Sequence, residues 1–328
     1  MSRRSRSRPR EGRPGSLFWP LLGLAALGAG AAAVVLAYRR GYFGLDPEEF
    51  DPGPLGEELF PPAPRLQDLA LWLPGPAGNL FVRDGGSGGA QDLPVLFVHS
   101  LGGNGGQWVL QLDDQRPERR AVALDLRGHG ESDPAEGDDY SIAGLAADVA
   151  SVADQLGLRR FVLVGHSLGS LAAIEYAGQH PERVAGLFLV DPNGDQTQLP
   201  KSEVEPFLES IRRNPRAEIE SYFRQLVVGG DPDAARWILE DLAATSPRAI
   251  VGCLEAAAVY SPLPALERYR GPKLAAVSHL NSLPISLHRL VPDLPVHPIG
   301  GTGHWVQLDR PEVVNRLLDE FLAEVEAE

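Results

Sequence analysis

The 328-residue chain is 43% hydrophobic and 23% charged, which supplies enough apolar material for a sizeable core and too little charge for a disordered polymer. Its net charge of -14 is unevenly spread: residues 1–44 hold eight arginines against the single acid Glu11, and subtracting them leaves 22 basic and 43 acidic residues, a net -21, on the remainder. A body that acidic repels phosphate backbones and argues against nucleic acid as a partner. With one cysteine, Cys253, neither an intrachain disulfide nor a cysteine-based metal cluster can form. Cys253 sits in the apolar run Ala249–Leu254 and reads as a buried, inert thiol.

Residues 17–38 carry no charge over 22 positions, long enough at ~1.5 Å per residue to cross a bilayer as a helix. Six arginines precede this stretch and two follow it, so the positive-inside bias places the N-terminus in the cytoplasm and the body across the membrane. Trp19 and Tyr38 stand where interfacial aromatics would. A cleaved signal peptide is the competing reading, with Ala31–Ala33 as small residues near a cleavage site, and it would export the body. The apolar stretch exceeds the ~7–15 residues of a signal's hydrophobic region, which favours the uncleaved anchor. Residues 39–65 follow as a linker, with six prolines from Pro47 to Pro64 among acids. The folded domain is expected to begin near Leu66.

From there short apolar runs alternate with helical patterns, the signature of a mostly parallel sheet covered on both faces. Eight strands are expected at Leu69–Leu73, Asn79–Arg83, Val95–His99, Ala121–Asp125, Phe161–Gly165, Gly186–Asp191, Lys273–Ser278 and Pro295–Ile299. Ala143–Leu156, Leu168–Gly178 and Pro311–Val325 have helical spacing, and the last opens with proline. The stretch from about 193 to 266 shows helical patterns only and interrupts the alternation after the sixth strand, as a cap over the sheet would.

The fifth strand, Phe161–Val164, runs straight into Gly165-His166-Ser167-Leu168-Gly169 and then a helix. Glycines flank a serine here because so sharp a strand-to-helix turn leaves no space for side chains beside it and holds the serine in a strained backbone state. The turn lifts Oγ clear and sets it at a helix N-terminus, where unpaired amides stabilise negative charge.

On this segment, and on three others, residues 66–328 resemble the α/β-hydrolase superfamily, in the branch with haloalkane dehalogenase- and epoxide hydrolase-like sequences. Val98-His99-Ser100-Leu101-Gly102-Gly103 resembles the loop after the third strand, Asp125–Asp133 the structural turn after the fourth, and Gly300–Trp305 the histidine loop after the last. The resemblance implies Ser167 as nucleophile, His304 as base, and the amides of Leu101 and Leu168 as oxyanion donors, each worth about 3–4 kcal/mol in such sites. Ser100 departs from the glycine usual after the loop histidine, and a Ser100 hydroxyl could contact the substrate. His166 reads as a wall contact and His99 and His129 as loop braces. Asn281 occupies the position after the seventh strand where the family most often has its acid, and asparagine cannot stabilise an imidazolium. The remaining candidates end the sixth strand: Asp191, which points to the carboxyl edge of the sheet, and Asp195 as the second choice.

A serine at position 167 excludes the alkyl-ester chemistry of the dehalogenase and epoxide hydrolase branches, which need a carboxylate there. The resemblance therefore implies a carboxylic ester hydrolase-like enzyme with a Ser-His-Asp triad, taking a small acyl substrate and needing no metal or organic cofactor. A hydrolase-fold small-molecule receptor is the alternative that the displaced acid keeps open. Trp108 and Trp305 are candidates for the pocket border, with core packing as the other use.

Overall fold

The structure is a computed structural model that describes residues 69–87 and 92–327. The expected membrane span at 17–38 and linker at 39–65 lie outside the described residues. Among the described residues no single helix is long and apolar enough to cross a membrane.

All eight expected strands form: β1 (Leu69–Gly75), β2 (Gly78–Gly85), β3 (Val95–Val98), β4 (Ala121–Leu124), β5 (Phe161–His166), β6 (Val184–Val190), β7 (Lys273–Val277) and β8 (Val296–Pro298). They make one sheet in the order β1-β2-β4-β3-β5-β6-β7-β8, antiparallel where β2 meets β1 and β4 and parallel from there on. Every residue of β3, β4, β5 and β6 is buried, which is why these segments read as continuous apolar runs. Odd and even positions then feed opposite faces. Leu96 and Val98 pack beneath α2 (Ile142–Gln155) and α3 (Leu168–Gln179), whereas Val95 and Phe97 join a second core with α1 (Val109–Gln115) and the C-terminal helix Pro311–Ala327.

Between β6 and β7 the chain builds five consecutive helices: α4 (Lys201–Arg213), α5 (Pro215–Leu226), α6 (Pro232–Ala244), α7 (Pro247–Val259) and α8 (Leu263–Arg268). The chain closes with α9 (Leu287–Leu290), α10 (Val306–Asp309) and α11 (Pro311–Ala327). Four cap helices carry proline in their first turn, where the missing N–H costs no hydrogen bond and the fixed φ suits the helix.

The turn after β4 is held by charge. Arg127 is 2% exposed and grips both oxygens of Asp148 on α2 at 2.7 and 2.6 Å, with further bonds to the carbonyls of Gly144 and Asp139. Asp125 meanwhile accepts from Arg83 and from the amides of Gly105 and Glu131, which ties β2, the β3 loop and this turn together. Removing one member of a buried pair strands the other charge. Asp148→Ala is therefore expected to cost about 3–5 kcal/mol in urea unfolding, while Arg127→Met with Asp148→Leu recovers most of it.

Candidate active site

Ser167 sits at φ 50°, ψ -113°, between the last residue of β5 and the first of α3. A Cβ on Gly165 would lie 2.6 Å from the carbonyl oxygen of Gly169, and one on Gly169 would lie 2.4 Å from the carbonyl oxygens of both Val98 and His99. Each glycine is thus required by contact with backbone, and the serine between them absorbs the strain of the turn. The turn is stapled by Ser167 N–H donating to Val190 O at 3.1 Å and by a short bond from Ser170 Oγ to Ser167 O.

Asp191 leaves the end of β6 at φ 37°, a second strained position, and is 1% exposed. Its Oδ1 accepts from Ser278 N–H at 2.8 Å; its Oδ2 accepts from Ser278 Oγ at 2.8 Å and from His304 Nδ1–H at 2.6 Å. The end of β7 therefore supplies donors rather than a carboxylate. Asn281 donates from Nδ2 to Pro192 O at 2.8 Å, bracing the turn that follows Asp191. Asp195 is turned elsewhere: it accepts from Thr197 and from Ser261 Oγ, pinning the start of the insertion.

With Nδ1 on Asp191, His304 keeps Nε2 for a reacting group. Its backbone is held by the cap, since His304 N–H donates to Leu226 O at 2.8 Å and Gly303 N–H donates to Asp309 Oδ2 at 2.8 Å. The other oxygen of Asp309 accepts from Asp231 N–H, also at 2.8 Å, just before α6. His166 is fully buried beneath this loop: Nε2–H donates to His304 O at 3.0 Å, Nδ1 accepts from Gln307, and the two imidazoles lie 4.8 Å apart.

Ser167 and His304 line one cavity together with Leu101 and Leu168. Leu168 opens α3, so its amide has no acceptor within the helix. Ser100 also lines the cavity and donates from Oγ to Leu101 O at 3.3 Å. The non-glycine residues with positive φ among the described residues are Asp138, Ser167 and Asp191, so the backbone at Ser100 does not demand glycine. Cys253 is buried as expected, its thiol pushed up by burial, yet it too borders this cavity. Trp305 forms part of the wall, whereas Trp108 packs between Phe97 and His166 in the core.

The sequence reading overlooked Asn193. Two residues beyond Asp191 and 3% exposed, it lines the cavity and accepts the Ser167 hydroxyl proton at 3.2 Å through Oδ1. The only prior sign was its place on the Asp191-Pro192-Asn193 turn.

Buried histidines surround the site as neutral rings. His99 accepts from Leu126 N–H through Nε2 at 2.9 Å and bonds Ser100 O through Nδ1 at 2.6 Å. Burial lowers its pKa to about 4 and that of His129 to about 3, and it holds His166 well below the usual range. Burial raises Asp309 to about 6. For the histidines the unfolded state binds more protons below pH 6.5, so stability is complete above that value and falls as pH drops toward 4. Asp309 has the opposite sign, losing stability as pH rises from its unfolded value to about 6, and offsets part of the loss. Unfolding free energies from urea titrations should stay level from pH 7.5 to 6.5 and then decline toward pH 5 by about 1.4 kcal/mol per pH unit for each buried histidine, less the opposite contribution of Asp309, and His129→Gln should flatten the slope.

A strained serine between strand and helix, with a histidine loop and an acid gathered at the carboxyl edge of an eight-stranded sheet, defines a protein of the α/β-hydrolase class. The chain belongs to the alpha/beta hydrolase fold family, which it matches over residues 94–311. It is 35% identical over 132 residues to the dihydrolipoyllysine-residue acetyltransferase component of the acetoin cleaving system of Pseudomonas putida, covering 40% of this chain and 34% of that one. It is 35% identical over 108 residues to the (lyso)-N-acylphosphatidylethanolamine lipase of Mus musculus, covering 31% of this chain and 30% of that one. The chain thus spans about a third of the length of these relatives. Among solved structures, an esterase (EaEST) from Exiguobacterium antarcticum superposes with a TM-score of 0.68 at 19% identity, over 78% of this chain and 100% of that one. A thermophilic esterase from Thermogutta terrifontis gives 0.65 at 24% identity, over 79% and 99%. These two likenesses establish the fold.

Proposed function

We propose that this protein is a serine hydrolase that cleaves a small acyl ester or related carbonyl compound through an acyl-enzyme. The observation that carries the reading is the 2.6 Å bond from His304 Nδ1–H to Asp191 Oδ2, which orients a base whose ring shares a cavity with Ser167. Ser167 Oγ attacks the carbonyl carbon as its proton passes to His304 Nε2, and the oxyanion is received by the amides of Leu101 and Leu168. The imidazolium, stabilised by Asp191, returns the proton to the departing alkoxide. Water then gives a proton to His304 and attacks the acyl carbon, releasing a carboxylic acid and regenerating the serine hydroxyl.

Two features favour a second reading, a hydrolase-fold small-molecule receptor: the small volume of the cavity, and the Ser167 proton resting on Asn193 rather than on His304. A fluorophosphonate probe separates the two, because only an activated serine is labelled promptly. Wild-type protein should label and Ser167→Ala should not, and Asp191→Asn should lower ester kcat by about 10⁴-fold with the fold intact. Wild-type turnover in Ser167→Ala would refute the hydrolase assignment.

We further infer that residues 17–38 hold the hydrolase domain on the non-cytoplasmic side of a membrane, or export it if the segment is cleaved. Their charge-free length and flanking arginines support this. Alkaline-carbonate extraction of cells expressing the full chain should leave it in the membrane pellet, and deletion of residues 1–44 should release it.

A further inference from the structure

The cavity at Ser167 has a volume of ≈ 20 Å³, room for only one or two water molecules. No acyl chain fits there beside the reacting atoms. A second cavity of ≈ 300 Å³ lies between α5 and α6, with Ile250 of α7 in its wall.

The two spaces are neighbours along shared helices. On α5, Ile219 lines the larger cavity, while Tyr222 and Phe223, three and four residues on, line the smaller. On α7, Ile250 lines the larger, while Cys253 and Leu254, at the same offsets, line the smaller. Residues so spaced are successive neighbours along one helix face, so the cavities follow one another down both helices. Leu242, from the larger cavity, and Phe223, from the smaller, stand side by side over one glycine. Both close on Gly102, where a Cβ would lie 2.7 Å from Leu242 Cδ1 and 3.3 Å from Phe223 Cε1. Gly102 directly follows Leu101, one of the two oxyanion donors assigned above.

Charge decides what the larger cavity suits. Its three arginines are answered locally: Arg224 bonds Glu220 at 2.8 Å, Arg236 bonds Asp233 at 3.0 Å, and Arg216 donates to Ala243 O at 2.6 Å. Glu240 adds another acid to the lining, so no excess of positive charge awaits an anionic group. The rest of the wall is apolar. The space is a groove partly open to solvent, and its volume is about twice that of an apolar cavity that holds benzene, enough for an alkyl chain of roughly six to ten carbons laid along its apolar side.

We propose that the larger cavity receives the alkyl chain of a medium-chain acyl ester, whose carbonyl reaches Ser167 when Leu242 and Phe223 part. This rests on the serine-hydrolase reading and names its substrate class. Leu239 lines the larger cavity only and is partly buried, which leaves room for a bigger ring. Hydrolysis of p-nitrophenyl acetate and octanoate by the full chain, with labelling by ethyl and octyl fluorophosphonates, provides the test. Wild type should prefer octanoate by about tenfold or more in kcat/KM, and Leu239→Trp should erase that preference while acetate turnover stays within about twofold. An octanoate-to-acetate ratio unchanged in Leu239→Trp overturns the proposal. If Leu239→Trp loses both activities, Leu242→Ala decides: a raised octanoate-to-acetate ratio supports the assignment, and an unchanged ratio overturns it. Failure of the ethyl probe to label wild-type Ser167 overturns the hydrolase reading and this proposal with it, whereas labelling with no chain-length dependence in any variant overturns this proposal alone.

Discussion

The first turn of α3 is pressed so closely against the ends of β3 and β5 that no Cβ can stand at Gly165 or Gly169. That approach costs backbone strain at Ser167, and the surrounding bonds to Val190 and Ser170 hold the strain in place. Everything at the carboxyl edge is arranged around the point it creates. The loop after β3 brings Leu101 to it, the helix N-terminus brings Leu168, and the cap closes above it. A looser turn would leave the same residues without a common cavity.

Asp191 holds the His304 ring from the end of β6 rather than from the end of β7. The usual position after β7 is not vacated; it is converted into support. Ser278 donates twice to Asp191 and Asn281 holds Pro192, so the residues on the β7 side fix the acid on the β6 side. The positive φ of Asp191 marks the cost, since only a sharp change of direction after Val190 turns its carboxylate toward His304. The same turn delivers Asn193 to the Ser167 hydroxyl, which makes the segment from Asp191 to Asn193 as much a part of the site as the serine turn itself.

Most of the sheet was readable in the sequence because β3 through β6 are buried on both faces and so consist of uninterrupted apolar residues. The cap was readable from helical spacing alone. Helix α1 was not, because its inward face carries Gln111 and Gln115, which bond Gln307, Asn315 and Asp319 instead of packing as hydrophobes. Ser167 and His304 stood out through local patterns of glycine and strand. Asn193 gave no such signal, since its importance comes from a contact with a residue 26 positions away, and hydrogen bonds of that kind leave no periodicity. The second cavity was equally invisible: its walls are side chains from three helices whose mutual placement no single segment records.

The attachment of the histidine loop to the cap has a bearing on how such proteins diversify. Leu226 O and the Asp309 carboxylate join the His304 loop to the end of α5 and the start of α6, so the His304 backbone is partly seated by the insertion. A cap exchanged between relatives would carry with it the acceptor for His304 N–H and the amide at position 231. In this chain the insertion and the loop that carries His304 are one mechanical piece, and the two would have to change together.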